Sequence, residues 1–319
     1  MLTRGTVVYI SQRMAMIVFT IFAVSSLVFL GVHRLPGNAF ISEKVRGQQL
    51  ELILHEYGLD RPLSVQYQEY MTNLLTKGDL GVSFVNRGQK ITPLVLREAS
   101  VSAEVGGAAL VITIGVGMLF GVLAAIRQNS WVDYVLTTTA VVGYSMPSFV
   151  SSAFLLLVFG TFMYKVTGGS LYYPIGWTGT YGDPFELSLP AVALGLPYAS
   201  FVARLTRASM LEVIRQDYVR TARAKGLSEQ VVIIRHALRN ALIPVTTILG
   251  PLVIGLITGS VVVEDIFGIP GLGKEFVNSI LHHDYNIVVG VFTVYAGMIG
   301  LANLLVDLAY TVIDPRIRY

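Results

Sequence analysis

The sequence predicts an all-α integral membrane protein with six transmembrane helices and an extracytoplasmic helical segment between the first two spans. Three observations predict it. Hydrophobic residues make up 53% of the 319 and charged residues only 13%, about half the charged share of a soluble domain, and the mean hydropathy is +0.63. Six runs without Asp, Glu, Lys or Arg lie at 14–32, 105–126, 134–164, 187–203, 240–263 and 285–306, and a hydrocarbon core of ~30 Å takes about 20 helical residues to cross. Lys and Arg crowd the loops of one side, so the net charge of +3 sets topology and gives no argument for nucleic acid as a partner. The partner that this composition demands is the lipid bilayer. Cysteine is absent, which excludes disulfides, thiol catalysis and thiolate metal sites.

The elements follow in chain order. Residues 1–13 form a short N-terminus and 14–34 the first span, which is longer than a signal-peptide apolar core and lacks a small-residue cleavage site after it. Residues 35–100 form the extracytoplasmic segment. Within it, 64–77 places Val65, Met71, Leu74 and Leu75 on one helical face, starts at a capping Ser64 and stops before Gly78. It reads as a helical cap, either a contact surface for an outside partner or a packing element over the spans. The core 101–312 then carries five helices. Pro147 interrupts the third run, Pro190 and Pro197 the fourth, and Pro244 and Pro251 the fifth. The fourth run has 17 residues and has to draw on its charged flanks to cross. Pro inside a span leaves a carbonyl without its helical partner, which membranes tolerate where the helix faces protein or a wet cavity, so Pro147, Pro190 and Pro197 are candidate pathway residues.

Arg4, Arg13, Arg127, eight basic residues between Arg204 and Arg239, Arg316 and Arg318 share one side, against Lys165 and Lys274 in the opposite short loops. That side is cytoplasmic by the positive-inside rule. Both termini, including 313–319, are expected there.

The cytoplasmic loop 204–239 is the most informative stretch. Asp217 is an expected N-cap, Ala222, Ala224 and the arginines favour helix to Lys225, and Gly226 can take the positive φ that closes it. Ser228 starts a second helix that carries Val231, Val232, Ile234 and Leu238 into the next span. Two short helices meeting at a glycine make an elbow; a basic loop merely held to anionic lipid would not need this punctuation.

Other motifs carry less. Gly268 to Lys274 has phosphate-loop spacing, but Glu275 stands where Ser or Thr would hold magnesium and no buried strand precedes it. His282, His283 and Asp284 lack a fourth metal ligand, and neighbours on a helix point about 100° apart. Ser145 has no His in any span to act as its base. Asp307, one turn after Asn303, is the nearest approach to a carboxylate within a span, expected to snorkel or to pair with Arg204. With the runs otherwise free of charge, an ion-coupled secondary carrier is the weaker reading, since it would bury ionisable groups near the midplane.

The string Tyr218-Val-Arg-Thr-Ala-Arg-Ala-Lys-Gly-Leu227, followed by His236-Ala-Leu-Arg-Asn-Ala-Leu, resembles the Glu-Ala-Ala-type loop of ATP-binding cassette importer permeases, in the version found in oligopeptide and dipeptide permeases. Arg220 and Thr221 replace the leading Glu and Ala of the general pattern. Similar strings run through the chain in order: Gly58 to Leu63, Gly78 to Phe84, Gly121 to Ala125, Tyr144 to Ser148, Phe267 to Gly273 and Ile313 to Tyr319. The resemblance implies a type I importer permease fold and a peptide permease without catalytic residues or cofactors of its own, in the cytoplasmic membrane of a prokaryote. Nickel-chelate and glutathione importers share much of the pattern. It implies as partners a second permease subunit, two cytoplasmic ATPases holding ATP and magnesium, and an extracytoplasmic peptide-binding protein. Asp217, Tyr218, Arg220, Thr221, Ala222, Arg223, Ala224, Lys225, Gly226 and Leu227 would form the ATPase-coupling loop. Phe267, Pro270 and Gly271 would lie at a turn by the outer mouth, as a gate or partner contact.

Overall fold

The computed structural model describes residues 4–34, 48–170, 177, 183–258 and 260–313. The start of the segment expected outside, 35–47, and nearly all of 313–319, with Arg316 and Arg318, lie outside the described residues. Six helices among those described are long and apolar enough to cross a membrane. The chain forms two packed units, Met1–Ser102 with Ile269–Tyr319, and Ala103–Gly268.

In the first unit α1 (Arg4–Val32) runs against the last helix, and α2 (Gln48–Glu56), α3 (Leu63–Lys77) and the start of α4 (Ile91–Ile126) follow in sequence. Lipid is as apolar as leucine, so spans gain little from apolar burial against each other and need close packing and hydrogen bonds instead. The α1 face supplies both. Ile17 lies so close to Gly300 that a Cβ there would meet it at 2.9 Å, Ser25 hydrogen-bonds Thr293 at 2.8 Å, and Arg13 pairs with Asp307 at 2.6 Å. Asp307 therefore takes Arg13, 294 positions away in sequence, and not the expected Arg204.

Beyond the span, α3 obeys the rules of water. Tyr70 and Met71 are buried and Tyr67 and Leu74 pack beside them with Phe29 and Leu80, at roughly 1.5–3 kcal/mol for each fully buried side chain. This corrects the expected face, since Val65 and Leu75 are exposed. The tyrosines take their place because their hydroxyls find partners, Tyr67 on Ser26 at 2.7 Å and Tyr70 on Thr293 at 3.3 Å. Ser64 is not the cap: the helix starts at Leu63 after Pro62, whose fixed φ suits the first turn. Gly78 closes it in the left-handed region, φ +62°, and its N–H reaches the Asn73 and Leu74 carbonyls.

The second unit takes the rest of α4, then α5 (Trp131–Ser145), α6 (Ser148–Val166), α7 (Pro184–Ile214), α8 (Asp217–Ala224), α9 (229–241), α10 (Ile243–Thr247), α11 (Leu249–Thr258) and α12 (Ser260–Phe267). The third apolar run is two helices. Met146 is extended, ψ 120°, because the residue before a proline is excluded from the helical region, and Pro147 starts α6. The fourth run is not short: α7 is one helix of 31 residues, with Pro190 and Pro197 inside it, since it continues through charged flanks at both ends. It is also the most buried of the six spans. Small residues explain why. A Cβ on Gly117 would meet the Ala199 carbonyl at 2.7 Å, one on Gly121 the Ala203 carbonyl at 2.5 Å, and one on Gly195 the Ala109 carbonyl at 2.9 Å, so α4 and α7 cross nearly backbone to backbone. The first unit closes with α13 (Leu272–Leu281) and α14 (Tyr285–Ile313).

Candidate functional site

The basic loop folds as an elbow, its base built from four apolar side chains. Val219, Ala222 and Val232 are buried against Val213; everything else from Asp217 to Leu227 is exposed. Asp217 opens α8 as its first helical residue and not as its cap, which is Gln216 without a side-chain bond. There its carboxylate still faces the positive end of the helix dipole and stands 3.7 Å from Arg220. The Thr221 hydroxyl donates back to the Asp217 carbonyl at 2.9 Å. Tyr218 accepts from the Asn240 amide at 2.8 Å, which ties α8 to the following span. Arg223 forks onto Glu229 at 3.1 and 2.7 Å, bridging the two arms. Lys225 ends the helix and Gly226 turns the chain at φ +78°, with open space where a Cβ would be. The stretch thus presents Tyr218, Arg220, Ala224, Lys225 and Leu227 outward on a fixed base.

The second arm differs from expectation. Ser228 holds the N-cap position of α9 but makes no side-chain cap bond, and 232–238 wind as a π-helix. Val232, Ala237 and Ala241 face inward while Val231 and Ile234 are exposed. The i→i+5 hydrogen bonding of this stretch widens each turn beyond 3.6 residues, so a 3.6-residue wheel does not place Val232 and Ala237 on one face.

Two of the candidate pathway prolines, Pro147 and Pro197, meet at one serine. Pro197 has no N–H for the Ala193 carbonyl one turn earlier, and the Ser151 hydroxyl lies 3.2 Å from that carbonyl. Ser151 sits in the first turn of α6, just after Pro147, and is buried with its hydroxyl also 2.9 Å from the Ser148 carbonyl. Pro190 is buried near the start of α7 and is not part of this contact. Phe267, buried, ends α12, a helix that packs on α6 and α7. In the other unit, Pro270 is half-buried and Gly271 is the N-cap of α13. There the Leu272 amide, which a phosphate cradle would need, donates to Ser102 at 2.9 Å, and burial, then the charge of Asp284, pushes the Glu275 carboxyl up. Asp284 accepts from the Ser83 hydroxyl and from the amides of Phe84 and Val85.

Sequence reasoning missed three features. Asp133, in the first turn of α5, receives a two-bond fork from Arg207 of α7, Nε to Oδ1 at 2.6 Å and Nη2 to Oδ2 at 2.7 Å. Arg204, one turn earlier, lies over the Tyr144 ring at 4.3 Å. Glu264 is fully buried in α12, one residue past the apolar run that ends at 263, so the helices extend into charge that the runs exclude. Only the last had a local signal, an acid that falls in phase with Ser260 and Phe267 one turn to either side.

A family model described as "Binding-protein-dependent transport system inner membrane component" matches residues 117–319, and its N-terminal companion model matches 6–93. The oligopeptide transport system permease protein OppB of Haemophilus influenzae is 38% identical over 312 residues, 98% of this chain and 99% of its own length. The dipeptide transport system permease protein DppB of Bacillus subtilis is 39% identical over 311 residues, 97% of each chain, and OppB of Escherichia coli K12 is 38% identical over 312. Among solved structures, the MetNI methionine ABC transporter in inward-facing conformations aligns with a TM-score of 0.54 at 19% identity, covering 69% of this chain and 96% of that one.

Proposed function

The chain belongs to the binding-protein-dependent transport system inner membrane components, and from that premise we propose that it is the permease subunit of an ATP-driven importer of oligopeptides or dipeptides. It has the type I importer permease fold in the inner membrane, and ATP hydrolysis belongs to separate ATPase subunits of such systems. What carries the peptide reading is the end-to-end likeness to permeases named for oligopeptide and dipeptide transport. The orientation follows from residues, and the partners from the family. Both termini lie in the cytoplasm with the elbow, on the side where Lys and Arg accumulate. A second permease completes the conduit, two ATPases each hold ATP and magnesium, and an outside binding protein delivers peptide.

The mechanism is mechanical. ATP closes the ATPase pair, and the elbow, seated through Tyr218, Arg220, Lys225 and Leu227, follows. Only Arg215 and Gln216 separate α8 from α7, so elbow motion enters a spanning helix directly. That helix carries Pro190 and Pro197, where a missing rung makes bending cheap, and it packs on α6 behind Pro147; these line the pathway. Phe267, Pro270 and Gly271 gate its outer mouth. Alternating access is then a change in which mouth is sealed.

The test is reconstitution of the complete complex, with labelled dialanine and tetra-alanine presented on the binding protein. ATP-dependent uptake of either is expected. Uptake confined to a nickel chelate or glutathione would reassign the cargo, and uptake driven by an ion gradient without ATP would overturn the class.

A further inference from the structure

We propose that the Asp133–Arg207 fork is a transmission clamp, a positioning pair that makes the α4–α5 corner move with α7 when the elbow is displaced. The inference rests on the coupling role given to the elbow above. Arg207 lies two turns before the end of α7 at Ile214, about 10 Å along the helix at 1.5 Å per residue, and Arg215 and Gln216 lead from there into the elbow at Asp217. No proline interrupts α7 after Pro197. Displacement of the elbow therefore passes through Arg215 and the extended Gln216, and from Ile214 on reaches Arg207 along unbroken helix.

What it meets there is a corner held from every side. Asp133 is buried, and besides the two Arg207 bonds it accepts from the Asn129 amide at 3.0 Å and from the Thr137 hydroxyl at 3.2 Å. Ser130 caps the same turn by accepting from the Asp133 amide at 3.4 Å, and Asn129 is held at φ +62°. The carboxylate thus fixes the turn from α4 into α5, while the guanidinium fixes that turn to α7. A single positive point charge in place of the guanidinium would attract Asp133 but could not resist rotation; two parallel bonds do both. One turn earlier, Arg204 over Tyr144 adds a second contact between the same helices. Among the described residues no other charged group shares the hydrogen bonds or the ion pair of this fork.

The experiment uses the assembled complex in proteoliposomes and reads dialanine taken up per ATP hydrolysed, with assembly and basal ATPase measured beside it. Asp133→Asn keeps an acceptor for the Asn129 amide but loses the charged fork; Arg207→Met keeps the apolar stem; Arg207→Lys keeps charge without the fork. All three should assemble with near-normal basal ATPase and lose about tenfold in uptake per ATP, within the range of ordinary coupling terms. The double variant Asp133→Asn with Arg207→Met should be no worse than either single, since each breaks the same link. Normal uptake per ATP in Arg207→Lys, or additive losses in the double variant, would overturn the clamp. Gly226→Asp, run in parallel, separates the readings: if it uncouples while the fork variants do not, the elbow stands and the clamp falls. If it does not uncouple, the elbow reading fails first. Should the Met and Asn variants fail to assemble, Arg207→Lys alone decides.

Discussion

Two short helices in this molecule end alike and behave differently. α3 closes at Gly78, φ +62°, and α8 is followed by Gly226, φ +78°, each with open space around the missing Cβ. The first buries Tyr70 and Met71 among aromatic and aliphatic neighbours. The second buries only Val219 and Ala222 and leaves its charges outward. The same glycine closure thus terminates a packing element in one case and shapes an exposed surface in the other. The closure says where a helix stops; the burial behind it says whether anything else depends on the angle.

Substitutions can break or sharpen that contrast. Tyr70→Ala should have the largest effect, removing a buried aromatic with its bond to Thr293 and costing about 3 kcal/mol or more, read as a fall in thermal stability of the purified complex; uptake per ATP in the surviving fraction should be unchanged. Gly226→Asp should lower uptake per ATP about tenfold at a stability cost of only about 1 kcal/mol, and full uptake would remove the distinction drawn here. Gly78→Asp is its match, the same change at the same kind of φ. It should cost about the same 1 kcal/mol and leave uptake per ATP intact; uncoupling by both would mean that the strain, not the elbow, is responsible. A cysteine at Lys77, in a chain that has none, should label from outside in sealed vesicles without loss of transport. Labelling from the cytoplasmic side alone would invert the topology.

The smallest expected effect is pH. Arg207's hydrogen bonds hold the Asp133 carboxyl at about 2, below its ordinary 3.8. A depressed carboxyl contributes stability that is fully present above its unfolded value and is lost as pH falls through the folded one, here in the window from about 4 down to about 2. Uptake per ATP and thermal stability should therefore show no step from this pair between pH 5 and 8. A step there would mean that Asp133 is not held as the fork implies.

Local rules made much of this legible. Span number follows from six apolar runs, the two glycine closures from residues that alone take positive φ without strain, and the break at Pro147 from the restriction on the residue before it. What stayed hidden is what pairs distant residues. Nothing near Arg13 or Asp307 in the sequence tells that they meet, and the same holds for Asp133 with Arg207 and for Ser151 with the Ala193 carbonyl. The face of α3 was misplaced because tyrosine reads as polar until Ser26 and Thr293 are known to satisfy its hydroxyl. The lengths of α4 and α7 were underestimated because a helix does not end where charge begins. In the elbow, Val219 and Ala222 fall where an amphipathic wheel puts them, whereas the π-wound arm beyond Ser228 violates the period that any wheel assumes.

The α4–α7 crossing has a further consequence for motion. Gly117 and Gly121 on one helix leave gaps four residues apart into which the Ala199 and Ala203 backbone fits, a spacing of about 6 Å at the helical rise. A small axial slip would drive carbonyl oxygens against the Cβ atoms that flank each gap. The seam has detents like those of a ratchet: it is locked against creep and free only in whole steps. Such a seam resists axial sliding but not rotation about the crossing, and rotation is the freedom that the Asp133–Arg207 fork would remove.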